Sequence, residues 1–66
     1  MNITVNGRPR TIDTAANLKT LIERSCRDTR HVIAEVNGAI VKNPHWENQP
    51  LKNGDVVELV HFVGGG

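Results

Sequence analysis

The sequence predicts an α+β fold in which a mixed sheet of four to five strands packs on one helix. Three features carry that expectation. One segment has the apolar period of a helix, several show the two-residue alternation of half-buried strands, and three Asn-Gly pairs punctuate them as turns.

Met1 to Asn6 alternates, with Ile3 and Val5 on one side and Asn2 and Thr4 on the other, as a strand with one buried face does. Asn6-Gly7 follows, and both residues tolerate the positive φ of a type I′ hairpin turn. A second short strand is expected from Arg8 to Ile12, at an edge, because Pro9 has no N–H for a ladder. The period then changes. Leu18, Leu21 and Ile22 fall at i, i+3 and i+4 among Lys19, Thr20, Glu23 and Arg24, an amphipathic helix with Asn17 placed to cap it. Cys26, four residues after Ile22, extends the apolar stripe and reads as core filler in preference to a reactive thiol. Arg24, Arg27 and Arg30 are expected near the negative end of the helix dipole.

His31 to Val36 reads as a strand that Asn37-Gly38 turns back into Ala39 to Lys42. Asn43-Pro44 ends it, and Pro44 to Asn48 predicts one short helical turn with Pro44 at its first position. Trp46 is expected at the sheet edge, as a satellite of the core and not a binding aromatic. Asn53-Gly54-Asp55 is the third turn. In the last run, Val57, Leu59, His61 and Val63 form one face and Val56, Glu58, Val60 and Phe62 the other. A strand apolar on both faces belongs in the middle of its sheet. The helix, lying between the first hairpin and the later strands, is expected to cross one face of the sheet as a right-handed connection.

The 66 residues make one small domain, expected over residues 1–63 with a flexible glycine tail at 64–66. A chain of this size buries only about 60% of its unfolded surface, so a stability of a few kcal/mol is expected. The net charge of +1, from eight Lys+Arg against seven Asp+Glu, argues against a nucleic-acid binder. Cys26 is the single cysteine, which excludes an internal disulfide and any thiolate cluster, a two-iron centre included. A disulfide-free small chain fits a reducing compartment. With no secretory leader pattern and no apolar run near the roughly 20 residues that span a bilayer, a cytoplasmic location without membrane contact is expected.

Catalytic constellations are missing. His31, His45 and His61 lie on different predicted elements with no carboxylate pair at ligand spacing. Gly7, Gly38 and Gly54 each follow an asparagine, which suits turns and not a phosphate loop. Ser25 and Cys26 lack a placed base. Glu35, Glu47, Asp55 and Glu58 read as solvated surface, and His61 as an ordinary strand histidine. The domain is not expected to be an enzyme.

That leaves Gly64-Gly65-Gly66, which follows directly from the last strand. Glycine reaches backbone conformations closed to other residues and has no side chain to pack. Such a segment is thin enough to thread a narrow channel, and it ends in a carboxylate on an unbranched carbon. The glycines alone fit a frayed chain end equally well.

The order of motifs along the whole chain separates the two. Leu18-Lys19-Thr20-Leu21-Ile22, Ala34-Glu35-Val36-Asn37-Gly38-Ala39-Ile40-Val41, Trp46, Leu51, Asn53-Gly54-Asp55 and Val60-His61-Phe62-Val63-Gly64-Gly65-Gly66 together resemble the ThiS family. These are sulfur carriers of thiamine biosynthesis with a ubiquitin-like β-grasp fold. The resemblance implies that a ThiF-type adenylyltransferase uses ATP and Mg²⁺ to adenylate the Gly66 carboxylate. Sulfur drawn from a cysteine desulfurase then gives a thiocarboxylate, and a ThiG-type thiazole synthase consumes it. Gly64 and Gly65 would form the tail, and Gly65 and Gly66 would let the arm enter both partners' sites. By analogy with ubiquitin-like folds, the open sheet face would dock them through Glu58, Val60 and Phe62, and the free carrier would be a monomer binding no cofactor or metal. A MoaD-like subunit of molybdopterin synthase, a carrier for cysteine or tRNA thiolation, and a β-grasp interaction module remain as alternatives. The short length and the Val-His-Phe-Val-Gly run favour the thiamine branch.

Overall fold

The centre of the sheet is its last strand in sequence. The computed structural model describes residues 1–62, and in it β5 (Val56–His61) pairs parallel with β1 (Asn2–Val5) and antiparallel with β3 (Val32–Val36). β2 (Arg8–Thr11) flanks β1, and β4 (Ala39–Val41) flanks β3, giving the order β2-β1-β5-β3-β4. The fold is the expected mixed sheet with five strands and one helix, and Pro9 lies on an edge strand.

The one helix, α1 (Leu18–Ser25), has only eight residues. A helix that short does not persist alone in water, so packing must hold it. Leu18, Leu21 and Ile22 are buried against Ile3, Val5, Val32, Ala34, Val36 and Val57 of the sheet. Full burial of each such side chain stabilises by about 1.5–3 kcal/mol. The helix start is held as firmly. Asn17 Oδ1 accepts from the Thr20 N–H at 2.9 Å, while the Leu18 and Lys19 N–H groups donate to the carbonyls of Gln49 and Trp46. The orphan donors of the first turn are thereby satisfied.

Several sequence expectations are corrected here. Ile12 lies just outside β2, although its N–H still bonds the Met1 carbonyl at 2.9 Å. Cys26 is the C-cap in extended backbone, not a further residue of the stripe, and it packs half-buried at the margin of the core. Of the three arginines, Arg24 lies in the last helical turn; Arg30 belongs to a separate 3-10 turn, Thr29–His31, where it pairs with Asp28 at 2.9 Å. His31 is thus in that turn and not in β3, and Lys42 lies past the end of β4.

The next 3-10 turn, Asn43–His45, starts one residue earlier than expected. Trp46, which follows it, is a full member of the core at 3% exposure, not a satellite. Its indole N–H donates to the Val41 carbonyl at 2.8 Å, and that bond lets the whole ring leave water.

Asp55 is also not surface. It is 5% exposed and accepts from Asn37 Nδ2 at 3.0 Å and from the Lys52 N–H at 2.8 Å. A buried carboxylate is tolerable only when hydrogen-bonded in this way.

Candidate functional site

β5 separates two kinds of side chain. Val57 is fully buried beneath α1 and Leu59 half-buried, whereas Val56, Glu58 and Val60 alternate onto the opposite, uncovered face, with Phe62 following them just past the strand end. Val60 is 50% exposed and Phe62 46%. The three residues expected to dock a partner, Glu58, Val60 and Phe62, therefore share one exposed surface.

Pairing with β3 and β4 widens that surface beyond what the sequence reading had placed there. Ile33 stands directly opposite Val60, Glu35 opposite Glu58, and Ile40 opposite Glu35. Ile33 and Ile40 are exposed large apolar residues, Ile40 at 65%. The signal that could have found them is register: once β3 pairs antiparallel with β5, residues facing one another share a face. The other half of the same face is polar. There Asn2 and Thr4 of β1 pair with Thr11 and Pro9 of β2, and Thr11 Oγ1 donates to Asn2 Oδ1 at 3.0 Å.

Asparagines in the turns fix β5 in place. Asn6 and Asn37 hold φ of 51° and 53° in the two hairpin turns, with Gly7 and Gly38 also positive, as type I′ geometry requires. Each side chain also reaches β5. Asn6 Oδ1 accepts from the Leu59 N–H at 2.8 Å, and Asn37 Oδ1 accepts from the Val56 N–H at 2.8 Å. Neither role is visible in turn chemistry alone.

Around the end of β5, His61 is exposed and its Nε2 lies 2.9 Å from the Asp28 carbonyl oxygen. The Phe62 N–H donates to the His31 carbonyl at 3.0 Å, and the two rings stack tilted with centroids 5.5 Å apart. Phe62 is thus oriented by backbone and ring contacts. Arg30 donates from its guanidinium and from its backbone N–H to Asp28, which holds that carboxyl well below the usual carboxylate range. Val63, Gly64, Gly65 and Gly66 lie outside the described residues, and with them the expected tail and reactive carboxylate.

Among the described residues no group of three or more His, Cys, Asp or Glu is placed to hold a metal ion. Burial pushes the Cys26 thiol up, away from the thiolate a nucleophile needs. No helix of the described residues is long and apolar enough to cross a membrane.

Comparison with known proteins agrees with this geometry. A protein-family model described as the ThiS family matches residues 3–66. A crystal structure of the thiamine biosynthesis protein ThiS from Geobacter metallireducens is 36% identical, with a TM-score of 0.83 and full coverage of both chains. A solution structure of a thiamine biosynthesis protein from the same organism is 36% identical with a TM-score of 0.79, covering 100% of this chain and 88% of that one. A curated protein named thiazole synthase, from Paramagnetospirillum magneticum, is 30% identical over 66 residues. The chain spans only 20% of that relative's length.

Proposed function

The chain belongs to the ThiS family, sulfur carriers of thiamine biosynthesis, and from that premise we propose that Gly66 is the residue on which the sulfur travels. A carboxylate is a poor acyl donor because its leaving group would be an oxide. Attack of the Gly66 carboxylate on the α-phosphorus of ATP, in a ThiF-type partner with Mg²⁺, forms an acyl-adenylate and releases pyrophosphate. The terminal sulfur of a persulfide supplied through a cysteine desulfurase then attacks the acyl carbon and expels AMP, and a thiol cleaves the resulting acyl disulfide, leaving a thiocarboxylate at Gly66 and a new disulfide on the thiol side. A thiazole synthase takes the sulfur, and the carboxylate returns. The chain is in this reading a recycled co-substrate, and the enzymes are its partners. Gly64 and Gly65 serve by lacking side chains, so the arm enters sites that a β-carbon would obstruct.

The observation that carries the reading is the family match, which runs through residue 66 and so includes the glycines. A thiazole synthase as acceptor is supported by the relative of that name, which contains a segment matching this chain. For docking, Glu58, Val60 and Phe62 on the uncovered face are the contact residues.

The test is intact mass after incubation with a ThiF-type enzyme, ATP, Mg²⁺ and a sulfur source. A gain equal to exchange of one oxygen for sulfur, mapped to Gly66, is expected. Extending the chain past Gly66 turns the carboxylate into an amide and should abolish the gain. No sulfur gain with an enzyme active on another carrier would overturn the proposal. Val60→Asp and Phe62→Asp should each suppress adenylation, and unchanged adenylation in both would remove the docking face.

A further inference from the structure

We propose that the β5–β3–β4 half of the uncovered face docks a thiazole synthase surface presenting an arginine or lysine flanked by apolar side chains, with the cation seated between Glu35 and Glu58. The inference rests on the docking reading above and specifies the chemistry of what docks.

Glu35 and Glu58 are direct cross-strand partners. Like charges placed opposite one another destabilise an antiparallel pair. Among the described residues neither carboxylate enters an ion pair, the pairs being Lys19–Glu47 and Arg30–Asp28. Around them the surface is apolar, with Ile33 opposite Val60 in the next row, Ile40 opposite Glu35, and Val56 and Phe62 beyond. Beside Ile33 and Ile40 runs a groove of about 320 Å³, also lined by Val41 and Lys42, with room for an apolar side chain.

Covering this half with an apolar partner would take both carboxylates out of water. Without a counter-charge that is strongly unfavourable, and Lys42 at the rim of the groove forms no ion pair with either carboxylate, so an occupant that buries the patch must bring one. A guanidinium suits two adjacent carboxylates best, since its planar fork donates to both. A second copy of the chain is a poor occupant, because stacking face on face would bring two glutamate pairs together with Lys42 alone bordering each. The polar half of the sheet, with its Thr11–Asn2 bond already made, offers no comparable demand.

The test is the Kd for the thiazole synthase of the same organism, by calorimetry at low and high salt. Wild type should weaken as salt rises. Glu35→Gln combined with Glu58→Gln should bind about tenfold or more weakly, with little salt dependence, because charge-assisted pairing is lost. The same double variant should keep its Tm or gain up to a few degrees, since a repulsion is removed. Loss of binding with undiminished stability cannot come from unfolding. If the double variant binds like wild type while Val60→Asp does not, the cation seat is refuted and the docking face stands. If Val60→Asp also binds like wild type, the docking reading itself fails. A wild-type dimer in sedimentation that Val60→Asp dissociates would make a second copy the occupant and overturn the proposal, as would absence of binding by the wild-type chain.

Discussion

Asp55→Asn tests whether the buried carboxylate holds β5 in register. The two Asp55 oxygens accept from two separate donors, Asn37 Nδ2 at 3.0 Å and the Lys52 N–H at 2.8 Å. An asparagine is nearly the same size, but either orientation turns its NH₂ toward one of those N–H groups. One bond is replaced by a donor–donor clash, and the other loses its ionic character. Hydrogen bonds to charged groups contribute about 1.5–3 kcal/mol each, so a loss of about 2–4 kcal/mol is expected. For a domain of this size that is a fall in Tm on the order of 10–25 °C, a large part of the available stability. Far-UV circular dichroism during heating and in urea measures it, with the urea m-value unchanged if the unfolded surface is the same. Asn37→Gly keeps the left-handed turn and deletes the side-chain bonds, so it isolates the second partner. Because the Asn37–Asp55 bond is absent in Asn37→Gly and either lost or stripped of its ionic character in Asp55→Asn, the double variant should cost about 1 kcal/mol less than their sum. A Tm for Asp55→Asn within experimental scatter of wild type, or strict additivity in the cycle, would refute the reasoning.

Trp46→Phe removes the N–H that satisfies the Val41 carbonyl and leaves space in the buried core, at an expected cost of about 1–3 kcal/mol read from the urea midpoint. Asp28→Asn should lower Tm at neutral pH. The folded-state carboxyl lies below its unfolded value of 3.8, so its contribution is complete above that value and fades as pH falls beneath it. The gap between wild type and Asp28→Asn should therefore close on acidification below pH 3.8, and a gap unchanged down to pH 2 would exclude the Arg30 pairing as its source. Cys26 should alkylate more slowly at pH 8 than an unstructured thiol, because burial raises its pKa, and should reach the free rate in denaturant. Equal rates in the folded protein would show the thiol to be open.

The fold was legible because its elements announce themselves by local chemistry. Leu18, Leu21 and Ile22 declared the helix, Pro9 the edge, and the two-sided apolarity of Val56 to Val63 the central strand. The same alternation placed Glu58, Val60 and Phe62 on one face before any pairing was known. What escaped was whatever depends on residues far apart in sequence. Asp55 looked like one more surface acid, and only its distance to Asn37 makes it a buried latch. Trp46 looked peripheral because its depth depends on a carbonyl of β4. Ile33, Glu35 and Ile40 join the uncovered face through register with β5 and β4, which no single segment carries. Asn6 and Asn37 were read for their backbone angles alone, and their second role appears only where β5 passes beside them.

The strand order has a consequence for how the chain is made. If β5 is taken away, the sheet falls into two hairpins, β2-β1 and β3-β4, with no ladder between them. A polypeptide leaves the ribosome from its N-terminus at about 5–20 residues per second. Both hairpins are therefore synthesised before the strand that joins them. Until residues 56–61 are made, β1 and β3 each lack a neighbour on one side, and the uncovered face has no central strand. Completion of the sheet is thus the last step the order of the chain allows, and the face that carries Glu35, Glu58 and Val60 exists only once β5 has joined the two hairpins.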